Sequence, residues 1–193
     1  INFLQKDLID SIKGKANIFF FWPMIIFILV LLTITDSLSE GGVDAWAALY
    51  MRDAVHVTGF NIGIATISFN FFMVLGRLIG DSIRDLLGIY KYLILLIILS
   101  VIGVAIISLF NSILSSIIGF SILGSGLSGI IPLAYSLAGK VKGIDSAVGI
   151  SIISIAAYGV FMVAPALMGY LAKYLGISKV SSERLLDEFK KII

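Results

Sequence analysis

The sequence predicts an all-α fold, a polytopic transmembrane helix bundle, and three observations carry that expectation. Hydrophobic residues make up 59% of the 193 and charged residues only 13%, against about half and a quarter in a soluble domain. Mean hydropathy is +1.09. Apolar runs long enough to cross a bilayer, which takes roughly 20 residues, recur between short polar links. The net charge of +2 carries less information than the places where the charges fall. With no cysteine and a single histidine, His56, disulfides, thiolate clusters and cysteine zinc sites are excluded. No metal and no cofactor is expected, and no nucleic-acid partner.

Residues 1–16 read as a polar, basic segment on the cytoplasmic side, and residues 17–177 as a bundle of five helices. The chain begins at Ile1 rather than Met, as a processed product or a fragment does. The first apolar run is too long for a cleaved leader and reads as a retained anchor. It gives a span over 22–50, with Pro23 in the first turn, where a missing N–H costs nothing. The Gly41-Gly42 pair is a weak point inside it. The second span covers 60–83. The third, 90–110, is almost purely Ile, Leu and Val. The fourth, 112–138, is rich in Gly and Ser, and the fifth covers 147–174. Links this short make consecutive helices antiparallel neighbours. Pro132 and Pro165 are expected to kink their helices.

Basic residues set the orientation. Lys6, Lys13 and Lys15, then Arg77, Arg84 and Lys91, then Lys140 and Lys142 fall on one side; Arg52 falls on the other. The amino terminus is therefore expected in the cytoplasm, in contact with the inner-membrane lipid. Residues 178–193 form an amphipathic polar tail, with Leu185, Leu186 and Phe189 among charged neighbours. Five spans put that basic tail outside, against the charge rule. It is either an interfacial helix or the approach to a sixth span, and the second reading restores a cytoplasmic end.

The apolar run of the first span leads into Asp36-Ser-Leu-Ser-Glu40-Gly-Gly-Val-Asp44. Asp36, Glu40 and Asp44 stand at i, i+4, i+8 and share one stripe of a helix. Carboxylates at membrane depth are costly and face a cavity, a partner or a proton. The plain alternative makes Asp44 interfacial, beside an aromatic belt of Trp46 and Tyr50, and Glu40 a local bond to the glycine pair. The sharper reading gives Glu40 first, and Asp36 second, a proton-linked role in a solute pathway. In the second span Asn70 shares a face with Arg77, and an Asn there most often bonds a neighbouring helix. Ser125, Ser128, Pro132 and Tyr135 share a face of the fourth span, and Ser151, Ser154 and Tyr158 a face of the fifth. Small residues at that spacing serve close helix packing; Tyr135 and Tyr158 are candidate contacts for a polar solute. Gly124-Ser-Gly126-Leu-Ser-Gly129 fits G-x-G-x-x-G but lies inside an apolar span, so helix packing explains it and nucleotide binding does not.

The link between the second and third spans reads from Gly76-Arg77 through Asp81, Arg84-Asp85 and Gly88 to Lys91. Arg77, Asp81, Arg84, Asp85 and Lys91 form a candidate gating charge cluster at a helix end, able to hold helices together in one state and release them in another. The plain alternative is a positive-inside loop with local ion pairs. Asp85, Gly88 and Lys91 resemble part of the cytoplasmic loop Gly-x-x-x-Asp-Arg-x-Gly-Arg-Lys of the major facilitator superfamily. Asp81 stands where that pattern has its glycine and Leu86 where it has a basic residue. Glu40-Gly-Gly-Val-Asp44-Ala-Trp46-Ala-Ala-Leu-Tyr50 is similar to the seventh helix of a bacterial subgroup, with Ala45 intervening. Gly126-Leu-Ser-Gly-Ile-Ile-Pro-Leu133 resembles the tenth helix and Ala164-Pro-Ala-Leu-Met-Gly169 the eleventh.

The resemblance runs over nearly the whole chain, to about residue 179. It implies half of a major-facilitator-type fold, helices seven to eleven of a twelve-helix carrier, with an amino-terminal six-helix half as the missing partner. It implies a secondary active transporter that moves a small-molecule substrate, coupled to a proton, by alternating access between two halves. The other class of reading is a truncated or split-gene product acting as a non-transporting bundle or scaffold; coding sequence upstream of Ile1 separates the two. An enzyme is not expected, because no nucleophile–base pair is evident.

Overall fold

The computed structural model describes residues 24–174. The polar segment 1–16, the start of the first span and the tail 178–193 lie outside the described residues. Within them the order is α1 (Met24–Asp53), a 3-10 turn (Gly59–Gly63), α2 (Ile64–Leu87), α3 (Ile89–Leu109), α4 (Ile113–Leu127), α5 (Ile130–Ala138) and α6 (Ser146–Tyr174). Five segments are long and apolar enough to cross a membrane: α1, the 3-10 turn with α2, α3, α4 with α5, and Ser146–Ala164 of α6. The chain is a helical membrane bundle.

Local chemistry sets the ends. Gly88, at φ +78°, stops α2 and starts α3 at once, a backbone shape that glycine adopts without strain. Ser112 and Ser115 form a reciprocal cap on α4: the Ser115 N–H donates to Ser112 Oγ at 3.2 Å and the Ser112 N–H to Ser115 Oγ at 3.1 Å. Asp145 Oδ1 accepts the Ala147 N–H at 2.9 Å and opens α6. One expectation is corrected. The stretch 76–91, read as a loop, is helical apart from Gly88, because its charges pair along the helix surface instead of breaking it. The glycine pair lies inside α1, which runs on through it. Gly41 lies against α6, where an added Cβ would stand 3.2 Å from that of Ala164, so packing holds straight what propensity alone would weaken.

The fourth span is interrupted at Ser128-Gly129, between α4 and α5. Pro132 has no N–H to give the Ser128 carbonyl, one turn back, and its ring crowds that carbonyl. The kink thus appears about a turn before the proline. The helix of the fifth span continues past Pro165 to Tyr174.

The helices pack into two groups, and α5 beyond the bend contributes to both, Ile130 and Leu133 to the first and Ala134 and Ala138 to the second. The first core joins the latter part of α1, through Val43, Ala47 and Met51, to Phe69 and Met73 of α2, Leu96 of α3 and Phe120 and Leu123 of α4. The second joins Ile26 and Leu29 of α1 to Ala134 and Ala138 of α5 and Ile153 of α6. Helix α4 is wedged between α2 and α3, and glycine makes this feasible. A Cβ on Gly124 would strike the Phe69 carbonyl, and one on Gly103 would stand 2.6 Å from the Leu123 nitrogen. Helices in lipid associate through such close approach, since apolar side chains gain little by leaving lipid for protein. Serines enter these contacts because each satisfies its own hydroxyl: Ser121 donates to Ile117 O at 2.7 Å and Ser125 to Ser121 O at 3.0 Å. Large apolar side chains of α2 and α3, Phe71, Leu78, Ile94 and Val101 among them, stand exposed, as lipid contact requires.

The wedge gives a paired test. Gly124→Val should lower the melting temperature of the detergent-solubilised protein, at a cost of about 1–3 kcal/mol for overpacking. Gly159→Ala, where nothing lies within 4 Å, should leave it unchanged. Equal melting temperatures for both variants would contradict the wedge.

Candidate functional site

The acidic stripe of α1 falls along a gradient of burial. Asp36 is 1% exposed, Glu40 is part-buried and Asp44 is exposed. Each meets a different environment. Asp44 Oδ1 accepts a hydrogen bond from Asn70 Nδ2 of α2 at 3.3 Å, while the same amide also donates to the Thr66 carbonyl at 3.1 Å. The cross-helix bond expected of a mid-span Asn is therefore made, and its partner is one of the three carboxylates. One turn along α1, Glu40 Oε1 lies 3.5 Å from Arg77 Nη2. Residues 40 and 44 of α1 thus answer residues 77 and 70 of the antiparallel α2.

Asp36 has neither kind of partner. Its Oδ1 is buried and meets no hydrogen-bond donor among the described residues. Glu40 stands one turn along the same face of α1, and Glu40 in turn holds Arg77. A carboxylate without a donor in so dry a position is expensive, so Asp36 is where the stripe departs furthest from an ordinary structural role. Its neighbours Thr33 and Ser37 are buried too; Thr33 spends its hydroxyl on the Leu29 carbonyl at 2.8 Å.

An open cavity of about 460 Å³ lies beside the stripe, lined by Ser37, Glu40, Arg77, Ile131, Pro132, Tyr135, Ala157, Tyr158 and Phe161. It brings together α1, α2, α5 and α6, the helices on either side of the bend. Tyr135 and Tyr158, singled out in the sequence, both line it, and Tyr158 stands 72% exposed. Its volume falls in the range of small-molecule sites. Sequence reasoning missed Ser37 and Phe161. Their spacing held the signal: Ser37 is three residues before Glu40 and Phe161 three after Tyr158, on the same helix faces.

The charge cluster divides. Arg84 Nη1 reaches Asp81 Oδ1 at 2.7 Å and Arg84 Nη2 reaches Asp85 Oδ1 at 3.1 Å, all on α2. Lys91 is exposed in the first turn of α3. Arg77 reaches the cavity carboxylate instead. It also borders a second, small pocket of about 50 Å³, shared with Asp81, Arg84, Tyr92 and Ser128. Arg77 is therefore the charged side chain that borders both the cavity and the small pocket at the charged end of α2. The three stripe carboxylates do not converge: among the described residues, no three acidic or histidine side chains come together as metal ligands. Tyr50, expected in an aromatic belt, turns inward. Its hydroxyl donates to the Ile107 carbonyl at 3.0 Å, occupying one of the acceptors left over at the end of α3.

Three curated relatives place this geometry. The chain is 30% identical over 141 residues to an uncharacterised MFS-type transporter of Yersinia pestis. It is 27% identical over 148 residues to an uncharacterised transporter of Sinorhizobium fredii, and 24% identical over 149 residues to the membrane protein MosC of Rhizobium meliloti. The matches take in 73–77% of the chain and span 37–39% of the relatives' own lengths. No family model and no solved structure matches.

Because Glu40 and Arg77 both reach the open cavity, their mutual attraction is screened. A double-mutant cycle with Glu40→Gln and Arg77→Gln should give a coupling of at most about 1 kcal/mol in unfolding experiments. A coupling several times larger would make the pair a fixed clamp.

Proposed function

From its relation to MFS-type transporters over about three quarters of its length, we propose that the chain is the carboxyl-terminal half of a secondary active transporter. It moves a small solute across the cytoplasmic membrane, with its amino terminus on the cytoplasmic side and an amino-terminal half as its partner. The observation that carries this reading is the cavity itself: the Glu40–Arg77 ion pair and two tyrosines line one open face of an otherwise apolar bundle, with the buried Asp36 one helical turn from Glu40. Ionisable groups at membrane depth that face a cavity mark solute and proton pathways. Lys91, Lys140 and Lys142 fall at the end of the bundle where α1 begins, which supports the orientation.

Coupling to protons is part of the proposal, as is alternating access. One of the two carboxylates Asp36 and Glu40 carries the proton, and the solute occupies the space beside Tyr135 and Tyr158. The chain's role is to bind and move a solute; no bond-making chemistry is assigned to it.

The test uses the full-length product of the gene, reconstituted in proteoliposomes, with a panel of labelled solutes and an imposed pH gradient. The wild type should accumulate at least one solute in response to the gradient. Asp36→Asn and Glu40→Gln should each abolish gradient-driven accumulation while retaining exchange of that solute across the membrane. Undiminished accumulation in both variants would overturn the proton role, and absence of any flux across the panel would overturn the transporter reading.

A further inference from the structure

Arg77 contacts Glu40, and Asp36 stands one helical turn before Glu40 on the same face of α1. Glu40 holds the guanidinium at 3.5 Å, on the cavity side. Asp36, 1% exposed, has an oxygen without a donor among the described residues. A guanidinium carries five donors in a rigid fork, and the Arg77 side chain is 44% exposed, so it is not locked in a packed core. An ionised Asp36 without a donor is the costliest arrangement these groups can adopt. Two arrangements avoid it. Either a proton sits on Asp36 and Arg77 stays with Glu40, or Asp36 is ionised and Arg77 turns inward to it. In the second, Glu40 is left facing the cavity with its charge unbalanced.

We propose that Asp36 and Glu40 compete for Arg77, so that loss of the Asp36 proton frees Glu40 to bind an organic cation in the cavity. The proposal rests on the transporter reading above and names its substrate class. The proton leaves Asp36 for water, the guanidinium replaces it, and the cation replaces the guanidinium at Glu40. Net charge in the triad is zero with the proton bound and zero again with the cation bound, so the two ions exchange one for one. Other groups do not alter that count. Asp44, next on the stripe, is tied to Asn70. The titratable groups that α5 and α6 bring to the cavity are Tyr135 and Tyr158, and α4 has none in its sequence. The aromatic wall of Tyr135, Tyr158 and Phe161 suits an organic cation over a metal ion, through attraction to the ring faces.

The test is calorimetric, on the full-length protein in detergent, with benzyltrimethylammonium as the probe. This quaternary ammonium has no proton of its own to shed. Titrations in two buffers of different ionisation enthalpy count the protons released. The wild type should release up to one proton per cation bound, and its affinity should rise with pH over the range of that release. Asp36→Asn, which leaves Arg77 on Glu40 as the protonated acid does, should bind more weakly than the wild type at high pH, with no proton release and no rise of affinity with pH. Glu40→Gln should bind at least tenfold more weakly. Proton release unchanged in Asp36→Asn, or affinity unchanged in Glu40→Gln, overturns the competition. No binding by the folded wild type, alongside pH-driven flux of a neutral or anionic solute in proteoliposomes, overturns the cation class and leaves the transporter reading standing. The wild-type release measurement needs no variant, so it decides even if a substitution fails to fold.

Discussion

A charged side chain at membrane depth must be answered by protein, water or a proton, and the arrangement of this bundle around Arg77 follows from that constraint. The α1 stripe carries three carboxylates and the facing surface of α2 supplies one cation and one amide. Asn70 goes to Asp44 and Arg77 to Glu40. That leaves Asp36, the most deeply buried of the three, without a donor of its own among the described residues. The shortage is local and specific. It turns an ordinary helix–helix contact into one with two low-energy settings, because a single guanidinium faces two acids.

The rest of the structure positions that contact. Glycines let α4 sit between α2 and α3, which fixes α2 and its arginine in one packed group. The first part of α1 belongs to the other group, with α5 and α6. Helix α5, which follows the interruption at Ser128-Gly129 set by the missing donor of Pro132, belongs to both groups, Ile130 and Leu133 in the first and Ala134 and Ala138 in the second. Pro132 also borders both the cavity and the small pocket at the charged end of α2. A rearrangement at Arg77 is thus transmitted where two cores meet, and rigid groups joined at a bend are the usual material of hinge motions.

Much of this was legible in the residues. Apolar length gave the five spans, because crossing hydrocarbon demands a helix with every backbone group paired. Periodicity placed Asp36, Glu40 and Asp44 on one stripe and ordered them by depth. It also put Tyr135 and Tyr158 on helix faces that meet in the cavity. What periodicity does not contain is the neighbour. Arg77 reads naturally with Asp81, Arg84 and Asp85, its companions in sequence, yet it turns across to α1, while Arg84 satisfies the two aspartates by itself. The glycine pair beside Glu40 has the same character: in sequence it is a weak point, and its packing against α6 through Gly41 depends on a neighbour. A charged stretch resembled a loop because polarity, unlike hydrogen bonding, is visible in composition.

The central claim is that Asp36 exchanges its proton while Arg77 remains charged between two acids. Infrared difference spectroscopy of the full-length protein across a pH step observes the carboxylic-acid carbonyl stretch directly. A protonated-acid band that disappears as pH rises, and is missing from Asp36→Asn, is the predicted result. The same band surviving in Asp36→Asn, or no acid band at any pH at which the protein remains folded, would contradict the account.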